Sequence, residues 1–105
     1  MEKPILEVHI TIPSEYYDKA KELGNKLGYK ASIMDGDPVL GPGKNCYLSR
    51  HGPFHIAVMD AHMRCMLEVL NAHKIPVKRY KIEQVLLDEI IPPEQQNYFT
   101  PLRTN

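Results

Sequence analysis

His9 and Thr11 stand two residues apart in "EVHITIP" (7–13). On an extended strand that spacing puts both side chains on one face. An imidazole gives or takes a proton near neutral pH, and a hydroxyl holds an anionic oxygen. Two other segments repeat the alternation. "YLSRH" (47–51) offers Tyr47, Ser49 and His51, and "RYKIE" (79–83) offers Arg79, Lys81 and Glu83. Imidazoles, hydroxyls and a guanidinium together bind anions and move protons. In an acid-base site His9 would be the base, with Thr11 and Ser49 as hydrogen-bond donors. Arg79 and Lys81 would stabilise developing negative charge. In a binding site, Tyr47, Ser49, His51, Arg79, Lys81 and Glu83 would contact a ligand or partner without chemistry.

Whether these groups meet depends on the elements that carry them. "ILEVHITI" (5–12) alternates, with Leu6, Val8, Ile10 and Ile12 on one side and Glu7, His9 and Thr11 on the other, as a half-buried strand does. Pro13 stops it, Ser14 is placed to cap a helix carrying Tyr16, Ala20, Leu23 and Leu27, and Gly28 ends that helix. A second strand is expected over 29–35, then a long irregular loop through "GDPVLGPGK" (36–44), then a third strand over 45–51. Pro53 opens a second helix with a stripe of Ile56, Met59, Met63, Met66, Leu67 and Leu70. "HKIP" (73–76) ends it and a fourth strand follows over 77–88.

The order β-α-β-β-α-β predicts a ferredoxin-like α+β domain over 1–88, with two helices on one face of a four-stranded antiparallel sheet and central strands one and three. The residues 89–105 read as an irregular, proline-containing C-terminal tail. Inward positions are expected to be Ala31, Ile33, Cys46, Leu48, Tyr80 and Ile82, with Cys65 in the core of the second helix. The open face then gathers His9, Thr11, Tyr47, Ser49, His51, Arg79, Lys81 and Glu83, with Glu7 and Lys30 at its margins.

His9-Ile-Thr11-Ile resembles one copy of the H-x-T-x pattern of the two-histidine phosphoesterases. The resemblance covers four residues and implies phosphodiester chemistry, one imidazole taking a proton while a second protonates the leaving oxygen. The nearest second copy, "HIAV" (55–58), has Ala57 in place of the hydroxyl. A homodimer would supply another His9-Thr11 pair.

Other constellations fall short. His55, His62 and His73 are too widely spaced on a helix to converge at the ~2 Å a zinc ion requires, and His51 and His55 straddle a Gly-Pro turn. Asp35-Gly36-Asp37 begins like a calcium loop, but Pro38 and Val39 follow where oxygen ligands are needed. "GPGK" (41–44) lacks the remainder of a phosphate loop. No metal or cofactor is therefore expected. An RNA-binding sheet would show aromatics on its central strands, and only Tyr47 qualifies.

Thirteen basic and thirteen acidic residues cancel, which disfavours a uniformly cationic surface for nucleic acid or membrane. No apolar run approaches the ~20 residues that span a bilayer, and the N-terminus lacks a signal-peptide pattern. Two cysteines without a C-x-x-C read as reduced thiols in a cytoplasmic protein. The expectation is a small cytoplasmic homodimer, binding an anionic small molecule or a protein partner on its open face. Acid-base hydrolysis through His9 is the competing reading, and RNA binding a further one.

Overall fold

The computed structural model describes residues 5–52, 55–85 and 92–94. Within them the chain is α+β: β1 (Ile5–Pro13), α1 (Tyr17–Lys26), β2 (Lys30–Asp37), β3 (Gly41–Gly52), α2 (Ile56–Ala72) and β4 (Arg79–Val85). The four strands form one antiparallel sheet in the order β2-β3-β1-β4, so β1 and β3 are central. No helix among the described residues is long and apolar enough to cross a membrane. The expected tail over 89–105 lies almost wholly outside the described residues, as does Pro53.

The core follows from alternation. Val8, Ile10 and Ile12 of β1 are completely buried, as are Cys46 and Leu48, opposite Ile12 and Ile10 on β3. They pack with Ala20 and Leu23 of α1 and with Met59, Met63, Met66 and Leu70 of α2, so both helices cover one sheet face. Apolar area removed from water stabilises at about 25 cal/mol per Å², and this layer is where most of it is gathered.

Several local expectations are corrected. Ser14 does not cap α1 with its hydroxyl. It opens a 3-10 turn, Ser14–Tyr16, and its backbone carbonyl accepts from the Tyr17 N–H. The region 36–44 is not an irregular loop: β2 runs to Asp37 and β3 restarts at Gly41, leaving a short turn in a long hairpin. The glycines that suggested a loop instead allow the strands to twist. Gly36, at φ +82, sits where the register shifts between Asp35 and Asp37, as at a bulge. Asp37 closes the turn, its Oδ1 accepting from the N–H groups of Val39 at 2.7 Å and Leu40 at 2.9 Å.

Three residues on the apolar patterns are not covered. Ile56, at 65% exposure, lies in the first turn of α2, beyond the sheet's reach. Cys65 is exposed on the outer side of the same helix. Ile33 keeps helix-side parity but remains 47% exposed, because β2 extends past the cover given by the helices. Tyr80 likewise faces the helix side, but its ring is partly open and lies 5.2 Å beneath the Arg64 guanidinium.

Substituting Ile10→Ala removes side-chain volume from the closed layer and is expected to cost about 2–5 kcal/mol. Ile56→Ala should change stability by less than about 0.5 kcal/mol. Urea unfolding of both variants checks the contrast; similar losses would contradict the assigned core.

Candidate functional site

Strand pairing arranges the open face in rows. Lys30, Ser49, His9 and Lys81 stand side by side across β2, β3, β1 and β4. Ser32, Tyr47, Thr11 and Arg79 form the next row, and His51, Glu7 and Glu83 the row on the other side. All eight residues expected on the open face are therefore on it, but they do not form one site.

His9 is the centre of a polar network. Its Nδ1 lies 3.3 Å from the Ser49 hydroxyl, and its Nε2 lies 3.4 Å from Glu7 and 3.7 Å from Glu83. Lys81 is also bonded to Glu83, and this contact holds the Glu83 carboxyl below the usual carboxylate range. Lys81 and Glu83 are thus engaged with one another rather than presented to a ligand.

The adjacent row is closed differently. The Tyr47 hydroxyl donates to Asp37 Oδ2 at 2.6 Å, tying the hairpin turn to the sheet. That bond, with the two turn N–H groups, holds the Asp37 carboxyl down at about 2, and it raises the Tyr47 phenol above its ordinary range. Thr11, flanked in register by Tyr47 and Arg79, is only 4% exposed. Its placement as an accessible hydrogen-bond donor is accordingly corrected: the parity is right, but its neighbours close over it. Tyr47 is also buried, and its ring is poorly presented for base stacking.

The concavity lies one column away, over the start of β2. A cavity of about 440 Å³ is lined by Glu7, Lys30, Ser32, Ser49 and His51 from the open face, together with Gly28 and Arg50. That volume is in the range of small-molecule sites. Neither Lys30 nor His51 has a side-chain hydrogen-bond or ion-pair partner among the described residues. Arg50 has helix-side parity, opposite Val8, yet reaches the cavity because β2 has not begun at that level. Its guanidinium donates to the Leu27 carbonyl at the end of α1. This contact uses one of five N–H donors and places positive charge at the helix C-terminus. Gly28, at φ +79, makes it possible, since a Cβ there would stand 2.8 Å from the Arg50 Nη1.

Of the residues expected to bind a ligand, Ser49 and His51 line the cavity, while Tyr47, Arg79, Lys81 and Glu83 do not. Sequence reading placed Lys30 only at the margin, and it did not include Arg50. Strand parity puts Ser32 outward beside Lys30, although it was not among the candidate site residues. Arg50 could not be found in that way, because its parity directs it away from the open face and only the chain reversal at Gly28 brings it back. Among the described residues no group of three His, Cys, Asp or Glu side chains could share a metal ion.

No known family profile matches the chain, and no curated protein matches it. Among solved structures it is similar to the crystal structure of a DUF3240 family protein from Shewanella baltica OS155. The two share 20% identity with a TM-score of 0.53, over 88% of this chain and 100% of that one. The likeness is one of fold.

The Asp37–Tyr47 bond has a measurable sign. A carboxyl whose pKa falls from 3.8 to about 2 on folding stabilises the hairpin above the higher value. That contribution is lost as pH drops from 3.8 through about 2. In Tyr47→Phe the Asp37 titration should move up toward 3.8, as followed by the carboxyl NMR shift. In Asp37→Asn the stability change across that pH window should flatten. An Asp37 titration unmoved by Tyr47→Phe would contradict the assignment.

Proposed function

We propose that this chain is a ferredoxin-like domain that binds a small anionic ligand in the cavity over the start of β2. Supporting the fold, the sheet order read from the β4 edge is 4-1-3-2, the order of the split β-α-β arrangement. The observation that carries the binding reading is the cavity's lining. Lys30, Arg50 and His51 surround two hydroxyls, and Lys30 and His51 have no hydrogen-bond or ion-pair partner among the described residues. Basic side chains around a concave, hydroxyl-lined surface suit a phosphate or carboxylate group. By contrast, the charges of Lys81 and Glu83 satisfy each other, as on an ordinary solvated sheet face. Glu7, on the far wall, would disfavour a second negative charge there and so limit the ligand's orientation. The protein acts in this reading as a cytoplasmic homodimer, consistent with two free thiols.

A second reading, acid-base hydrolysis of a phosphodiester, rests on His9. Its ring has a hydroxyl at one nitrogen and carboxylates near the other, an arrangement that orients a general base. Ser49 joins that ring to the cavity wall.

A thermal-shift screen with nucleotides, phosphorylated metabolites and small carboxylates, followed by calorimetry, tests the first reading. One class of anion should stabilise the protein. Lys30→Met should then weaken binding by roughly ten- to a hundredfold, the loss of about 1.5–3 kcal/mol from one charge-assisted hydrogen bond. Arg79→Met, outside the cavity, should leave affinity within about threefold, a change under about 1 kcal/mol. The hydrolase reading requires turnover of a cyclic phosphodiester that disappears in His9→Ala; unchanged turnover removes His9 from the chemistry.

A further inference from the structure

The two edges of the sheet differ in chemistry. β4 carries Arg79, Lys81 and Glu83 along one face, and Arg64 covers its Tyr80. Charges of this kind, lysine above all, discourage another strand from pairing with an edge. β2 is also an edge strand, eight residues long and without proline, and its charges, Lys30, Asp35 and Asp37, lie toward its ends rather than along its centre. Its centre is apolar and uncovered on both faces, with Ile33 47% and Met34 53% exposed. Such an edge presents unpaired backbone N–H and C=O groups beside side chains that gain by leaving water.

We infer that the outer edge of β2 is an interface for a second copy of this chain, paired antiparallel about a two-fold axis at Ile33. Charge order selects both the occupant and the direction. β2 begins with Lys30 and ends with Asp35, Gly36 and Asp37. Two copies running antiparallel bring each lysine to the other's acidic end, whereas parallel copies would align like charges. Side-chain parity requires the axis to pass through a residue rather than between two, because a sheet that continues across it must keep the same face open on both sides. The exposed Ile33 lies at the centre of the strand. With Ile33 opposite its own counterpart, Ser32 lies opposite the partner's Met34, Ala31 opposite the partner's Asp35 and Lys30 opposite the partner's Gly36. The contact is self-complementary and closes at two copies, as a two-fold interface does. The partner strand also runs beside Lys30 and Ser32, giving the cavity a wall along the edge where β2 now faces solvent. The pairing itself needs no ligand, so its failure would leave the anion-binding reading standing.

Sedimentation velocity of the full chain, without ligand, should show a concentration-dependent species of twice the monomer mass. Ile33→Lys places two like charges on the axis and should shift the protein to monomer while circular dichroism and cooperative unfolding stay unchanged. In a Cys65→Ser background, which removes the exposed native thiol, Ile33→Cys should cross-link to dimer under mild oxidation. Ser49→Cys in the same background, on an inner strand, should not. A wild-type protein that stays monomeric at its highest soluble concentration would overturn the inference. So would a trimer, or a dimer that persists in Ile33→Lys and fails to cross-link through Ile33→Cys.

Discussion

The structure depends on the register of β1 between its two neighbours. Val8, Ile10 and Ile12 are completely buried, and a slip of one residue would carry all three to water and drive Glu7, His9 and Thr11 into the core. At 1.5–3 kcal/mol for each large side chain, and more for each buried carboxylate, that alternative is far out of reach. Because β1 pairs with both β3 and β4, the same constraint fixes their phases as well. The rows of polar residues on the open face are therefore a consequence of packing on the other one.

A fixed phase decides which side chains share a face, but not what they do there. His9 is near Ser49 because directly opposite residues lie about 5 Å apart. It is near Glu7 and Glu83 because a same-face residue two along the strand and a diagonal one remain within reach of long side chains. The same geometry on the β2 side leaves Lys30 and His51 without partners among the described residues, since the sheet ends at an edge strand and the chain turns at Gly28. At that end of the sheet the surface becomes concave, with Lys30 and His51 in its lining. Arg50 strengthens that corner while serving a structural purpose, because its guanidinium also terminates α1 at the Leu27 carbonyl.

What was legible in the sequence was whatever period alone determines. The strands, both helices, the buried methionines of α2 and the membership of the open face all follow from periods of 2 and 3.6. What was not legible depends on where one element stops covering another. Ile56 and Ile33 fit their patterns yet project beyond the neighbours that would have buried them, and Cys65 lies on the outer side of its helix. The hairpin was misread for a different reason. Pro38 and the glycines of 36–43 are turn formers by propensity, but Asp37 gathers the turn into Pro38–Leu40 and the flanking glycines remain in the strands. Local propensity yielded to a side chain that satisfies two backbone donors at once.

Cys46 illustrates how far context separates two residues of one type. It sits opposite Ile12 in the closed layer, where burial pushes its thiol up to about 11 and leaves it a small apolar side chain. The polar groups of the open face obey the same rule in reverse. Thr11 and His9 belong to one strand, one face and one short motif, yet Thr11 is closed over between Tyr47 and Arg79 whereas His9 keeps contact with solvent. A motif of adjacent residues is therefore not a unit of function on a sheet. The unit is the row across strands, where His9 meets the Ser49 hydroxyl at 3.3 Å, rather than the threonine two positions along its own chain.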